Sequence, residues 1–124
     1  MQNYKSKSKI DLKIRCYKFS LELIRFIESL EKQRISWLIA DQLLRAGTSI
    51  GANLVEAKAS SSRLEYKKFC EIALKSANET KYWLGLLRDS GKADREKVSQ
   101  LLQEVNEVSN ILASGIITLK RKKF

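Results

Sequence analysis

Residues 98–119 read VSQLLQEVNEVSNILASGIITL, and this stretch decides the fold. Its apolar residues recur at steps of three and four, which keeps one side of a helix apolar over three heptads. They are Val98, Leu101, Leu102, Val105, Val108, Leu112, Ile116 and Leu119. Glu104, Glu107 and Asn110 lie elsewhere on the helical wheel. The pattern therefore predicts an amphipathic helix that buries one face in a core.

The rest of the chain continues this helical pattern, and it contains no proline that could interrupt a helix. We predict three further helices over residues 10–30, 36–59 and 63–88, before a fourth over residues 94–119. The expected start and stop signals are Ser36, Ser60 to Ser62, Gly91 and Asp94. Each is a residue type that favours a helix end over a helix interior.

The short connections between these helices predict the architecture. Loops of about three to six residues place consecutive helices side by side and antiparallel. The predicted fold is all-α, an antiparallel up-down-up-down four-helix bundle over residues 10–120. A basic N-terminal tail over residues 1–9 and a basic C-terminal tail over residues 121–124 flank it.

Composition narrows the chemistry. The chain has 124 residues, 44% of them apolar and 31% charged, which is typical of one folded domain. It has no histidine, which removes the commonest general base and zinc ligand. No glycine-rich phosphate loop or activated nucleophile is evident either. We therefore expect a protein that is not an enzyme and needs no metal or cofactor.

Two cysteines and the absence of targeting patterns indicate a compartment. Cys16 and Cys70 are 54 positions apart, which is no metal-ligand spacing, so we predict buried thiols in a reducing environment. The basic N-terminus is not followed by the apolar core of a signal peptide, and no apolar run is long enough to span a membrane. A cytoplasmic protein without a membrane partner is expected.

The net charge of +10 is concentrated at the two ends of the chain. Residues 1–18 carry six basic side chains against one acidic, and residues 120–123 read KRKK. Residues 19–119 carry 14 basic and 13 acidic side chains, so the centre of the chain is nearly neutral.

In the predicted bundle, both chain ends and the turn between the second and third helices meet at one pole, which we call the basic end. We predict that its fourteen cationic residues bind nucleic acid: Lys5, Lys7, Lys9, Lys13, Arg15, Lys18, Lys58, Arg63, Lys67, Lys68, Lys120, Arg121, Lys122 and Lys123. Binding to a phosphate backbone, RNA or DNA, would be steeply salt-dependent and weakly sequence-specific. The alternatives are an acidic protein partner at the same pole, and tails that only maintain solubility.

The first helix has two apolar faces, where a peripheral helix of a monomeric bundle needs one. Ile10, Ile14, Tyr17, Leu21 and Ile24 share one face. Leu12, Phe19, Leu23, Phe26 and Leu30 share the opposite face. A second exposed apolar face would promote aggregation, so we predict a homo-oligomer, with the second set as its interface. The alternative is a first helix wrapped more deeply in the bundle.

Residues 42–57 of the second helix combine small and polar side chains. Gly47 and Gly51 each cost a helix about 1 kcal/mol relative to Ala, so we expect a neighbouring helix or subunit to approach closely there; the alternative is a kink in the helix. A polar ridge runs along one side, formed by Gln42, Arg45, Ser49, Asn53 and Glu56. Such a ridge can be an internal hydrogen-bond network that fixes helix register, or a surface that contacts a ligand or nucleic acid.

A set of motifs in the second and third helices carries a resemblance: Arg45, Ser49-Ile50, Ala52-Asn53 and Glu56, followed by Ser61, Tyr66-Lys67-Lys68-Phe69 and residues 73–79 (ALKSANE). Most of the chain resembles the four-helix bundle proteins encoded in intervening sequences of large-subunit (23S) ribosomal RNA genes. It is also similar to the accessory variability determinant proteins of diversity-generating retroelements. Gly51 stands where these proteins often have proline, and Ala57 where glycine often follows Glu56, which affects local bending rather than the fold.

This resemblance implies a small, basic, bacterial four-helix bundle that assembles as a ring, commonly a homopentamer. It also implies association with nucleic acid, without catalysis, as an accessory or scaffold protein. A reverse transcriptase or another nucleic-acid protein is the further partner that it implies.

Overall fold

The computed structural model describes residues 2–121, with side chains from residue 12 onward. It contains four helices: α1 (Gln2–Glu28), α2 (Arg34–Lys58), α3 (Arg63–Asp89) and α4 (Arg95–Arg121). No strand occurs within residues 2–121, which confirms the all-α prediction. No helix in this part of the chain is both long and apolar enough to cross a membrane.

The helices pack as an antiparallel up-down-up-down bundle. Each helix contacts its neighbours in sequence, and α1 also closes the bundle against α4. The backbones of the two diagonal pairs, α1 with α3 and α2 with α4, do not approach each other closely among the described residues. Among the described residues the α2–α3 contact is the most extensive and the α1–α4 contact the least.

The stripe on α4 forms one wall of the core, as predicted. Val98 and Val105 are fully buried, and Val108, Leu112 and Ile116 are at most 5% exposed. Burying a Val, Leu or Ile side chain stabilises a fold by about 1.5–3 kcal/mol relative to exposure. The apolar face of α4 is therefore a major source of the free energy of folding.

Most of the predicted helix ends are confirmed. Ser62 caps α3 by accepting a hydrogen bond from the backbone N–H of Glu65 at 3.1 Å, and the Glu65 carboxylate accepts one from the N–H of Ser61. Asp94 accepts one from the N–H of Lys97. Gly91, with φ of +72°, ends α3 in a left-handed conformation that favours glycine. These local signals set the α2–α3 and α3–α4 turns.

Two helix starts differ from the prediction. The first helix begins at Gln2 rather than residue 10, because its polar residues contain no helix breaker although the apolar periodicity starts only at residue 10. The second begins at Arg34, with Gln33 as its N-cap. Ser36 is therefore not a cap: it lies inside the first turn and is 1% exposed.

The two glycines of α2 allow α1 to approach closely, as predicted. A Cβ atom added to Gly47 would overlap the Cδ2 methyl of Leu23, which is fully buried. A Cβ added to Gly51 would lie 3.3 Å from the Cβ of Cys16. The missing side chains thus make room for Cys16 and Leu23 of α1.

A pair of glycine variants should separate this packing role from helix propensity. We expect Gly47→Ala to lower the free energy of unfolding by about 1–3 kcal/mol, because the new methyl overpacks the core. Gly85→Ala should raise it by up to about 1 kcal/mol, because nothing lies within 4 Å of its added Cβ and alanine is the better helix former. Urea unfolding at one protein concentration measures both, and a Gly47→Ala protein as stable as the parent would contradict the packing role.

The two faces of α1 exchange the roles that the sequence predicted. Phe19, Leu23 and Phe26 are at most 5% exposed and belong to the core, with Leu12 and Leu30 packed against it. Assigning this set to an oligomer interface was therefore wrong. A helical wheel shows two apolar faces but cannot tell which one meets the bundle. The small residues of α2 decide it, because they receive the face that carries Cys16 and Leu23.

Candidate functional site

The α2–α3 turn and the end of α4 together form the described part of the basic end. Six of the predicted cations lie there: Lys58, Arg63, Lys67, Lys68, Lys120 and Arg121. All are exposed except Lys67, which is half-buried. Of these six, only Lys120 lies near a carboxylate among the described residues: its Nζ atom is 3.9 Å from a carboxylate oxygen of Glu71, and the two side chains are 60% and 38% exposed. The other five retain uncompensated charge.

Five of the predicted cations cannot be placed in this way. The structure places the backbone of Lys5, Lys7 and Lys9 in the first turns of α1, but their side chains fall outside the described part. Lys122 and Lys123 lie beyond the described residues. Besides Glu71, two carboxylates flank the α2–α3 turn: that of Glu56, which is exposed, and that of Glu65, which is used in the α3 cap.

Arg15 does not lie at the basic end, which corrects its predicted role. Its Nε and Nη2 atoms donate to both carboxylate oxygens of Glu104 at 3.0 and 2.8 Å, and Nη2 also donates to Glu107 at 3.0 Å. Side-chain hydrogen bonds to Glu104 are the main reason that the pKa of Arg15 rises. Because a bidentate guanidinium–carboxylate pair fixes geometry, Arg15 joins α1 to the middle of α4. Its charge is neutralised within the bundle.

Lys18 is also displaced from the basic end. It lines a groove of about 440 Å³ between α1 and α4, together with Lys97 near the start of α4. The start of α4, and Lys97 with it, lies at the end of the bundle opposite the basic end. Lys13, five residues before Lys18, is half-buried. Lys18 therefore lies on the flank of the bundle rather than at the basic end.

The polar ridge of α2 divides into an inner and an outer part. Asn53 donates to the hydroxyl and to the carbonyl oxygen of Ser49 at 2.9 and 2.8 Å. Ser76 of α3 donates to the same Ser49 hydroxyl at 3.0 Å, so these three form an internal network between α2 and α3. The outer residues Gln42, Arg45 and Glu56 are exposed. Arg45 lies 3.3 Å from Asp41 on its own helix, a solvated pair that contributes little to stability.

The outward face of α1 is apolar and uncovered. Ile14 is 51% exposed, Tyr17 68%, and Leu21 and Ile24 about 40%. A second uncovered set, Ile72, Tyr82 and Leu86, lies on α3. Because α1 and α3 occupy diagonal corners, these two faces point to opposite sides of the bundle. The sequence predicted that one apolar face of α1 lies outside the bundle. The small residues of α2 were the signal that could have identified which of the two faces that is.

Both cysteines are buried and free, as predicted. Burial raises the pKa of the Cys16 thiol to about 12. Burial also raises the pKa of Cys70, although a hydrogen bond from Tyr66 partly opposes that shift. A buried thiol with a raised pKa is a poor nucleophile, because the thiolate is the reactive form. Neither cysteine is placed for nucleophilic chemistry.

This raised pKa predicts slow thiol modification. In a Cys70→Ala protein at pH 8, a shift from 9.0 to about 12 lowers the thiolate fraction of Cys16 about a thousandfold. We expect an aromatic disulfide reagent to modify the folded protein far more slowly than the protein in denaturant. Raising the pH from 8 to 10 should speed the denatured reaction until it levels off, while the folded rate continues to rise. Equal rates in both states would contradict the burial of Cys16.

Comparison of the sequence with known protein families identifies the family of this chain. The sequence profile of a family described as 23S rRNA-intervening sequence protein matches residues 8–114, which include most of all four helices. The chain belongs to this family. No curated protein matches the chain.

A solved structure similar to this member of the 23S rRNA-intervening sequence protein family has the same fold. It is the crystal structure of a protein described as having unknown function, from the S23 ribosomal protein family of Bacteroides thetaiotaomicron. It is 34% identical to this chain, with a TM-score of 0.80. The match covers 85% of this chain and 97% of that one. The two proteins therefore share the bundle over nearly its whole length.

Proposed function

We propose that this protein is a non-enzymatic, homo-oligomeric scaffold that binds the phosphate backbone of nucleic acid through its basic end. The observation that carries the proposal is the set of exposed cations at the α2–α3 turn and the end of α4. Lys58, Arg63 and Lys68 make no ion pair within residues 12–121. Such charges attract counterions, and their release on contact with phosphates favours binding.

Two unpartnered apolar faces support the oligomeric part of the proposal. The outward faces of α1 and α3 point in opposite directions, so an α1 face can dock against the α3 face of the next copy. Contacts between two different surfaces are head-to-tail, and they close into a ring when the rotation allows it. The family resemblance favours a pentamer. A ring would place every basic end on the same side.

The family description makes structured RNA the first nucleic acid to test, because it names an intervening sequence of 23S rRNA. Gel shifts with a structured RNA and with duplex DNA, across a series of salt concentrations, test the proposal. We expect binding at ~100 mM salt that weakens steeply as salt increases. Absence of binding to both nucleic acids at that concentration would contradict it.

Two narrower proposals concern the physiological partner. The resemblance to the accessory proteins of diversity-generating retroelements favours a reverse transcriptase as a further partner of the ring. If nucleic acid does not bind, the same exposed cations would suit an acidic protein. A polyglutamate titration distinguishes these cases, because an acidic-protein site would bind it at least as tightly as RNA.

A further inference from the structure

One aromatic side chain lies exposed among the cations of the basic end. Tyr66 is in the first turn of α3, where its backbone N–H donates to the carbonyl oxygen of Ser62 at 2.9 Å. The residue is 41% exposed. Arg63, three residues earlier, is its neighbour on the helix surface, and Lys67 and Lys68 directly follow it. The ring therefore lies next to positive charge that no carboxylate neutralises.

The exposure of Tyr66 results from its place at the end of the bundle. Cys70 and Ala73 follow it at steps of four and three, so all three share the core-facing side of α3. Cys70 is 7% exposed and Ala73 is fully buried. Lys120, near the end of α4, approaches Glu71, which lies more than one turn further into the bundle than Tyr66. Tyr66 thus lies over the end of the core rather than inside it.

The hydroxyl group of Tyr66 is turned towards the bundle, which leaves the ring as the more accessible part of the side chain. The hydroxyl interacts with the thiol of Cys70, one turn further along α3. Burial, followed by this neighbouring thiol, raises the pKa of Tyr66, so the phenol is neutral at physiological pH. Tyr66 therefore presents uncharged aromatic surface to solvent between the cations.

The other exposed aromatic residues have different surroundings. Tyr17 and Tyr82 are more than half exposed, but they lie on the outward faces of α1 and α3 that we propose to be covered in the ring. Trp37 is 65% exposed at the opposite end of the bundle, in the first turn of α2. Phe69, one turn after Tyr66, packs against the core. Among the described residues, Tyr66 is thus the exposed aromatic residue of the basic end.

An accessible aromatic ring beside cations suits one kind of polyanion better than others. In single-stranded nucleic acid, bases are free to stack on aromatic side chains while cations hold the phosphates on either side. In a continuous duplex the bases stack on one another, so a flat ring finds only the backbone. An acidic protein would use the cations but has no base to place on the ring. The ring therefore distinguishes between ligands that the cations alone would treat alike.

We propose that Tyr66 stacks an unpaired base, so that the basic end prefers single-stranded segments of nucleic acid to continuous duplex. This inference rests on the proposed nucleic-acid binding and names the form of nucleic acid that the basic end selects. The cations beside Tyr66 hold the phosphates that flank the stacked base. In the assembled ring, each subunit would contribute one such stacking position to the shared face.

Fluorescence anisotropy of the full protein with two labelled RNAs tests this inference. One RNA is an unstructured single strand, and the other is a fully paired duplex with the same number of phosphates. Tyr66→Leu removes the ring but keeps an apolar side chain over the core. We expect it to weaken single-strand binding about tenfold or more and to change duplex binding less than about twofold. Its salt dependence should match that of the parent, because the phosphate contacts remain.

Two matched variants serve as controls. Tyr66→Phe keeps the ring and should bind both RNAs as the parent does. Trp37→Leu removes an exposed aromatic side chain at the opposite end of the bundle, and it should also leave both affinities unchanged. Circular dichroism and urea unfolding of each variant show whether the fold persists.

A measurement on the parent protein alone keeps the inference testable if Tyr66→Leu does not fold. A single strand of abasic sites has the same backbone and charge but no bases, and it should bind about tenfold or more weakly than the intact strand. Equal binding of the two strands would overturn the inference. Equal losses for single strand and duplex in Tyr66→Leu would do so as well, because the ring would then only position the cations. So would a Tyr66→Leu protein that binds the single strand as the parent does.

The same titrations distinguish failure of this inference from failure of the proposed function. A parent protein that binds the duplex at least as tightly as the single strand would overturn the inference and leave nucleic-acid binding at the basic end intact. A parent protein that binds neither RNA at ~100 mM salt would overturn both.

Discussion

Reversing three charges at the basic end is expected to weaken nucleic-acid binding strongly. The variant Arg63→Glu, Lys67→Glu, Lys68→Glu changes the local charge by six units at the start of α3. It should lower affinity for structured RNA at least about 100-fold at ~100 mM salt, because several phosphate contacts are replaced by repulsion. Fluorescence anisotropy with a labelled RNA measures the loss. The fold should persist, because none of the three side chains is fully buried.

A matched variant at the opposite end controls for net charge. Lys32, Arg34 and Arg95 are exposed, and changing all three to glutamate alters the total charge by the same amount. We expect this control to keep most of the affinity, apart from a modest loss of long-range attraction. Equal losses in the two variants would mean that net charge rather than its position governs binding, and would remove the basic end from the account.

Placing charges on the outward face of α1 is expected to dissociate the oligomer without unfolding the bundle. Tyr17 and Ile24 are 68% and 41% exposed, so Tyr17→Glu, Ile24→Glu leaves the core unchanged. In an assembled interface the two carboxylates would be buried without partners, which opposes association by several kcal/mol. Light scattering should report the parent as an oligomer and the variant as a monomer with the same helical circular dichroism.

Two control variants test whether the loss of assembly is specific to the outward face of α1. Ile117→Glu changes an exposed apolar residue of α4, outside the proposed faces, and should leave the oligomer intact. Leu23→Glu should instead unfold the bundle, at a cost of about 3 kcal/mol or more, because Leu23 is fully buried in the core. A parent protein that scatters as a monomer at micromolar concentration would contradict the proposed ring.

The sequence predicted the fold because local signals and periodicity agreed. The stripe on α4, the Ser62 and Asp94 caps and the left-handed Gly91 each depend on residues close together in the chain. The same reasoning placed Gly47 and Gly51 against a neighbouring helix. It could not choose between the two apolar faces of α1, because that choice depends on which side chains fit the small residues of α2.

The sequence does not show which side chains pair when they are far apart in the chain, and this limited the prediction of the site. Arg15 appears in the sequence as one of six cations near the N-terminus, and its partner Glu104 is 89 residues away. Only the α1–α4 contact shows that this charge is neutralised. The burial of Ser36 was similarly hidden, because a serine near a predicted helix start has the sequence signature of a cap. Its burial arises from two turns that meet only in the folded bundle.

The claim that assembly gathers the basic ends into one binding face can be tested by a single comparison. RNA affinity is measured across a salt series for the parent and for the Tyr17→Glu, Ile24→Glu protein, whose basic end is unaltered. We predict that the assembled parent binds at least about tenfold tighter and with a steeper dependence on salt, because several subunits contact phosphates together. Equal affinity and equal salt dependence for the oligomer and the monomer would contradict the claim.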